Sequence, residues 1–405
     1  MPYTISRVTD DETTAFAHAV SRGFGHVKEA NDIAEMVEVE MADPSLSLAA
    51  RDRGHIIGTA TALDLTMAVP YADPVGCAGV TSVTTAPTHR RRGVLTNLMR
   101  HQLDDIRGRG WPWATLYASE SAIYGRFGYG LAAYAAKGRI DRAWTRLTDP
   151  VGPATVELVE VGDALDRVPT IYTRLAGRVP GMMTVGDRYW RHRIAWDPPG
   201  EREGASARFV AVIADRAYAL YRMRMGWDAS GPDATVEVEE CLATDREAER
   251  QMWSYLFGID LAQRVAIHRL AVDHPLPWWL AERQRLRLSP AMPLYVRLVD
   301  VGGALSARGT RGEGAVILEV TDDFCPWNAR TWTLSGDGRA LTCTPADRPA
   351  DVRLDVRELA SLSLGGVSPG ELLRAGLIEE LSPGAVPRLS TLLASDRPPF
   401  NAFTF

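Results

Sequence analysis

The chain has 405 residues, 46% hydrophobic and 24% charged, with 45 Lys+Arg against 51 Asp+Glu for a net charge of −6. That length predicts two to four domains with real cores and excludes a disordered or collagen-like chain. The negative balance argues against a nucleic-acid partner or a general phosphate-binding surface.

Residues 3–8 alternate like a short strand, and residues 11–21 and 31–40 have helical spacing, with Asp10 as the expected cap of the first helix. Residues 46–51 and 56–64 read as consecutive strands joined by the Asp52-Arg53-Gly54 turn. A β-branched run over 78–85 ends at Ala86-Pro87. Residues 91–107 then carry a helical apolar stripe of Val94, Leu95, Leu98, Met99, Leu103 and Ile106. Residues 114–118 form another strand, followed by the glycine-rich Ile123-Tyr124-Gly125-Arg126-Phe127-Gly128-Tyr129-Gly130.

Residues 148–154, rich in Pro and Gly, mark a boundary. Beyond them, strands at 209–213, 217–223 and 235–242, a helix at 245–261 and a strand at 265–270 repeat the first order in degenerate form. The last part begins with a glycine-rich link at 302–314. Alternating stretches at 315–320, 331–334 and 340–344, with a turn at Ser335-Gly336-Asp337-Gly338, predict a meander, and helices follow at 356–362 and 368–375. The chain ends in Pro399-Phe400-Asn401-Ala402-Phe403-Thr404-Phe405, aromatic where most termini are polar.

Cys77, Cys241, Cys325 and Cys343 lie far apart without a CxxC pair, and the eight histidines lack ligand spacing, so no metal site and no disulfide framework is expected. No basic segment followed by an apolar core opens the sequence, and no apolar run approaches roughly 18 residues. The expected setting is the reducing cytoplasm, with no membrane partner.

The sharpest signal is Thr84-Thr85-Ala86-Pro87-Thr88-His89-Arg90-Arg91-Arg92-Gly93-Val94-Leu95. A helix N-terminus placed directly after a buried strand presents unpaired N–H groups and partial positive charge, which makes it an anion site. Gly93 lets the backbone approach phosphate oxygens, and three arginines add fixed charge. A solvated basic helix start is the blander reading, but the strand-turn-helix context favours the cradle. The repeat offers a comparison: Thr244-Asp245-Arg246-Glu247-Ala248-Glu249-Arg250 carries three acids and no glycine, as an unliganded helix prefers. The first cradle is expected to bind a diphosphate and the second is not.

Arg90-Arg91-Arg92-Gly93-Val94-Leu95 resembles the R/Q-x-x-G-x-G/A phosphate motif of the GNAT N-acetyltransferases, with Leu95 in place of the final small residue. APTHRRRGVLTNLM together with LYASESAIYGRFGYG looks like the Eis (enhanced intracellular survival) family of that superfamily, and the resemblance runs along the whole chain. It implies an α+β chain of two GNAT-type mixed-sheet domains, the second degenerate, and a C-terminal domain similar to sterol carrier proteins. The boundaries fall at 1–147, 148–300 and 301–405. It implies acetyl-CoA as cosubstrate, with its pantetheine arm on the backbone of Val83 and Thr85 and its pyrophosphate on Arg90, Arg91, Gly93, Val94 and Leu95. The resemblance further implies that Ser119 lies beside the thiol end of that cosubstrate. It also implies a homo-oligomer, typically a hexamer.

By the same resemblance Tyr124 is the general acid, and the C-terminal carboxylate of Phe405 is the base delivered from the third domain. A structural tyrosine and a merely packed tail are the competing readings. Phe24 matches an aromatic position of the family's acceptor pocket. His26 stands where an acid is usual and offers a second candidate base. Met36 is core or pocket wall. Glu29, Asp32, Glu35, Glu38, Glu40 and Asp43 crowd one short region that would concentrate polyamines, although most charge runs are solvated helix faces. The expected activity is acetyl transfer to primary amines of multi-amine small molecules, with aminoglycosides the leading class. The alternatives are a protein lysine or another amine metabolite of a biosynthetic pathway as acceptor, or a non-catalytic lipid carrier or regulatory protein.

Overall fold

A computed structural model describes residues 3–41, 43–229 and 231–405. The chain divides into two compact units, Met1–Ala132 with Leu294–Asp396 and Phe405, and Ala133–Pro293 with Arg397–Thr404.

The first unit is built on β1 (Thr4–Arg7), α1 (Thr13–Gly23), α2 (Ala30–Glu40), β2 (Ser47–Asp52), β3 (His55–Met67), β4 (Val75–Thr85), α3 (Val94–Gly108), β5 (Trp113–Tyr117), α4 (Ser121–Tyr124) and β6 (Gly130–Ala133). Thr9, not Asp10, opens the first helical segment: its side chain and that of Glu12 close a capping box, and Asp10 sits in the first turn. β2 and β3 are joined by the expected hairpin, with Arg53 and Gly54 both at positive φ (50° and 81°) and Asp52 paired with His55. Period-two alternation sorts the strands' side chains by face. Leu48, Ala50, Ile57 and Ala60 meet Val94 and Leu98 of α3, while Ala49 meets Phe16 and Val20 of α1.

The strands run in the order β1-β2-β3-β4-β5, then Leu294–Leu298, then β6. All neighbours up to β4 are antiparallel, β4 and β5 are parallel, and Leu294–Leu298 is antiparallel to β5, with Arg297 opposite Ala114. The sheet of the second unit repeats this plan in the order Arg287–Pro290, Ala135–Asp141, Ala262–Ala271, Ala234–Ala243, Ala217–Arg224, Phe209–Ile213, Glu157–Leu158. Its one parallel pair is Ala234–Ala243 with Ala262–Ala271. The strand that follows β6 in sequence therefore belongs to the second sheet, and the strand that follows Arg287–Pro290 belongs to the first. This reciprocal exchange was not foreseen from the sequence.

The C-terminal segment forms its own sheet, ordered Leu341–Pro345, Arg330–Asp337, Glu313–Thr321, Val352–Asp355, Ile378–Glu380. The strand Arg330–Asp337 runs through the expected turn. The reversal falls one step later, where the Asp337 carboxylate accepts from the N–H of Arg339 and Ala340 and Gly338 takes φ 84°. All four cysteines are buried free thiols. Among the described residues no helix is long and apolar enough to cross a membrane, and no group of three His, Cys, Asp or Glu could hold a metal ion.

Candidate functional site

The parallel register of β4 and β5 runs from Cys77–Trp113 to Gly79–Thr115 and stops there. β4 continues to Thr85 along β3, whereas Leu116 and Tyr117 of β5 pair with Tyr295 and Leu294. The two strands thus fork, leaving one edge of β4 beyond Gly79 without a strand partner. Within that stretch the β3–β4 register shifts, Ser82 and Val83 of β4 lying opposite Ala60 alone of β3, and the extra residue bends the strand. Ser82 takes φ 52° at this bulge, a left-handed conformation rare for a side-chain-bearing residue. Its carbonyl accepts from the Thr59 hydroxyl at 2.8 Å, and its own hydroxyl donates to the Glu40 carboxylate at the end of α2. Just beyond, the Thr85 hydroxyl is buried and has no hydrogen-bond partner.

The strand then runs into the loop 86–93, and α3 begins only at Val94, three residues later than the apolar stripe suggested. The delay has a conformational cause: Arg91 (φ 62°) and Gly93 (φ 78°) are both left-handed, which coils the loop in front of the helix. No side chain caps α3 and its first turn holds no acid. Arg90, Arg91 and Arg92 are exposed. The nearby carboxylate of Asp52 is engaged by His89, at 3.3 Å. Val94 is buried and Leu95 half-buried, so both anchor the turn while their N–H groups face outward from the helix end. The result is an uncapped helix terminus beside three exposed guanidinium groups, an arrangement suited to a diphosphate.

The second sheet repeats the fork but not the cradle. Its parallel register ends at Val238–Ile267, and its helix Arg246–Gly258 is capped by Asp245, whose carboxylate accepts the Ala248 N–H at 3.0 Å and pairs with Arg216 at 2.6 Å. Above this second fork lies a cavity of about 430 Å³ lined by Asp197, Arg208, Arg222, Glu239 and His268 among others. The ions there neutralise one another. Glu239 pairs with Arg208 at 2.8 Å and Arg222 at 2.6 Å, and although burial opposes the charge, the arginines hold its carboxyl down at about 2.

Ser119 is exposed two residues beyond β5. Tyr124 ends α4, its ring edge-on to Tyr129 at 5.9 Å. Burial, reinforced by the Glu120 carboxylate, pushes its phenol up to about 12. The surrounding glycines serve packing. A Cβ on Gly130 would lie 2.0 Å from the Arg357 carbonyl oxygen, and one on Gly128 (φ 80°) would lie 2.2 Å from Arg297 Nη1. They let helix Val356–Leu362 and the exchanged strand press against the Tyr124 turn. Arg297 is fully buried there and meets Asp322 at 2.6 Å, and Asp322 also accepts from Asn328 and the Cys325 N–H.

The ring of Phe405 sits at the fork, edge-on to Tyr117 at 5.4 Å, and its Cε2 is 3.1 Å from where a Gly79 Cβ would stand. The residues before it are anchored within the second unit. Phe403 packs on Tyr189 at 4.6 Å, Asn401 accepts the Met183 N–H and caps the Phe403 carbonyl, and the Phe400 N–H donates to Pro180. On the first unit, Gly23 is pressed against Thr84 so closely that a Cβ would fall 2.4 Å from Thr84 Cβ, which starts the exposed Phe24 and His26 beside β4. The His26 N–H donates to the Ser21 carbonyl at 2.9 Å. Met36 packs against the cluster of Val8, Phe16, Val20, Met41 and Ala49. Sequence reasoning missed the Glu40–Ser82 link and Tyr117. Glu40 was one of six acids in a run, and Tyr117 one aromatic in an apolar strand.

Comparison with known proteins agrees with this layout. Residues 4–132 and 181–298 match models of the acetyltransferase (GNAT) domain, and residues 301–402 match the sterol carrier protein domain. The chain is 38% identical to an uncharacterized N-acetyltransferase of Streptomyces coelicolor over 400 residues, 96% of each protein. It is 33% identical to N-acetyltransferase Eis of Mycobacterium bovis over 373 residues, 87% of this chain and 86% of that protein. The crystal structure of Eis1 from Mycobacterium abscessus superposes over 100% of both chains with a TM-score of 0.86 at 29% identity. At 18% identity, a GCN5-related N-acetyltransferase from Anabaena variabilis shares the fold with a TM-score of 0.85.

Proposed function

The chain belongs to the Eis family of GNAT N-acetyltransferases, acetyl-CoA-dependent acyltransferases, and from that premise we propose that it acetylates primary amines of multi-amine small molecules, aminoglycosides foremost. The observation that carries the reading is the forked β4–β5 pair running into an uncapped, arginine-flanked helix start. The unpartnered Thr85 hydroxyl and the open edge of β4 supply the polar groups an amide-bearing arm requires. In this reading Val83 and Thr85 hold the pantetheine, and Arg90, Arg91, Gly93, Val94 and Leu95 hold the pyrophosphate. Ser119 lies near the thiol end.

Acetyl-CoA supplies the activated acetyl thioester. The chain's contribution is orientation and proton handling. The Phe405 carboxylate takes one proton from the acceptor ammonium and passes it to solvent. The freed nitrogen forms the C–N bond as the C–S bond breaks, and the second proton it sheds on becoming an amide restores the Tyr124 phenol. Tyr124 donates its phenolic proton to the departing sulfur, and burial keeps that phenol protonated across the working range. Phe24 and His26 line the acceptor side, Met36 backs it from the core beneath α1, and the acids along 29–43 favour a cationic acceptor. By family likeness the protein assembles as a homohexamer, and its four dispersed free cysteines suit a reducing setting such as the cytoplasm.

The test is CoA release across a panel of amines: aminoglycosides, linear polyamines, lysine peptides and simple amines. Turnover highest on aminoglycosides, and reduced about tenfold or more by deleting Phe405 or extending the chain past it, supports the reading. Equal turnover in wild type and the Phe405 deletion contradicts the role of the terminus. Preference for lysine peptides replaces the acceptor class.

A further inference from the structure

We propose that Glu40 is a positioning residue for acetyl transfer, acting through the Ser82 hydroxyl to fix the β4 bulge in its transfer-competent form. The inference rests on the N-acetyltransferase reading above and concerns a residue to which that reading gives no separate role.

Ser82 is where the strand departs from regular geometry. It holds φ 52° although it carries a side chain, and such a conformation persists only when its surroundings over-determine it. Two contacts do so here. The Thr59 hydroxyl donates to the Ser82 carbonyl at 2.8 Å and is itself linked to the Thr84 hydroxyl at 2.7 Å. From the other side, the Ser82 hydroxyl donates to Glu40. Ser82 is buried and Glu40 half-buried, and a hydrogen bond to a carboxylate is strong for its type. One residue further, Val83 offers its backbone on the open edge of the fork. The dihedrals of Ser82 therefore set where the Val83 N–H and carbonyl point.

A second observation separates Glu40 from an ordinary surface acid. It is the last residue of α2, and no basic residue occupies that turn. A carboxylate at a helix C-terminus opposes the helix dipole, so helix stability does not account for it. From that position it reaches the Ser82 hydroxyl. Neither Ser82 nor Glu40 touches the reacting atoms in this account. Glu40 orients Ser82, Ser82 orients Val83, and a displacement of the thioester by a fraction of an ångström lowers the rate of transfer without removing the pyrophosphate grip.

The experiment is a double-mutant cycle of Glu40→Ala and Ser82→Ala, with Glu40→Gln as the conservative variant, assayed with the panel amine of highest wild-type turnover. Thermal melts verify that each variant is folded. Each alanine variant is expected to lower kcat about tenfold while KM for acetyl-CoA changes less than about threefold, because the cradle is intact. The double variant is expected to be no worse than either single one. Glu40→Gln, whose amide oxygen still accepts from Ser82, is expected to recover kcat to within about threefold. Additive losses, an unchanged kcat in Glu40→Ala, or a Glu40→Gln variant as impaired as the alanine would each overturn the positioning role. Of these, the last with a raised acceptor KM would mean that the charge meets the amine directly. A wild-type chain that releases no CoA with any amine overturns the proposed function and this inference with it, whereas a wild type that turns over with an additive cycle overturns the Glu40 role alone.

Discussion

Tyr124 carries the acid chemistry of the account. Its phenol, pushed up to about 12 by burial and by Glu120, stays protonated through any working pH. An acid must hold its proton to donate it, so the loss attributable to Tyr124 begins only as pH approaches 12. The pH profile of kcat is expected to rise as the amine side is deprotonated and then to stay level to about pH 10, without a falling limb. A falling limb near pH 8 would assign the proton to another group. Tyr124→Phe is expected to lower kcat about 100-fold with an unchanged melting temperature, measured by CoA release and calorimetry. Tyr124 became a candidate through the resemblance of LYASESAIYGRFGYG to the Eis family, and the arginines through their place in a contiguous strand-turn-helix run. Glu40 was not legible, since its partner lies 42 residues away on another element.

At the level of elements, the glycine-rich turn acts through packing. Gly125, Gly128 and Gly130 flank Tyr124 and permit close approach of backbone. That approach is to Arg357 and Arg297, and the glycines seat the carrier-like domain under Tyr124. Gly130→Ala would set a methyl 2.0 Å from a carbonyl oxygen and is expected to destabilise the chain by about 3 kcal/mol, read as a lower denaturant midpoint. Asp322→Ala would strand the fully buried Arg297 and is expected to cost about 3–5 kcal/mol by the same measurement. A midpoint within error of wild type for both would contradict the packing described here. The cradle makes the complementary case. Its start was misjudged by three residues because an apolar stripe records which face is buried and carries no sign of the left-handed Arg91 and Gly93.

Over the whole molecule, the repeat and most strands were readable from periodicity, but the helices Val161–Ala176 and Asp187–Ala195 and the exchange of Ala135–Asp141 and Leu294–Leu298 between the two sheets were not. Alternation specifies a face and leaves the neighbouring strand open. The exchange has a consequence for dissection of the chain. A fragment of residues 1–147 lacks Leu294–Leu298, so its sheet is open between β5 and β6 and the Tyr124 turn loses Arg297. Such a fragment is expected to be insoluble or to melt without a cooperative transition, monitored by circular dichroism. A cooperative melt like that of the intact chain would mean that the exchanged strand is dispensable.

Of the two pseudo-equivalent helix starts, the first is uncapped and flanked by exposed arginines, and the second is closed by its own Asp245. Titration of coenzyme A into the intact chain by calorimetry tests that contrast most directly. The account predicts one site per chain, with affinity that falls as salt is raised and falls further in Arg90→Ala and Arg91→Ala. No heat of binding with coenzyme A in large excess, or two equivalent sites per chain, would contradict it.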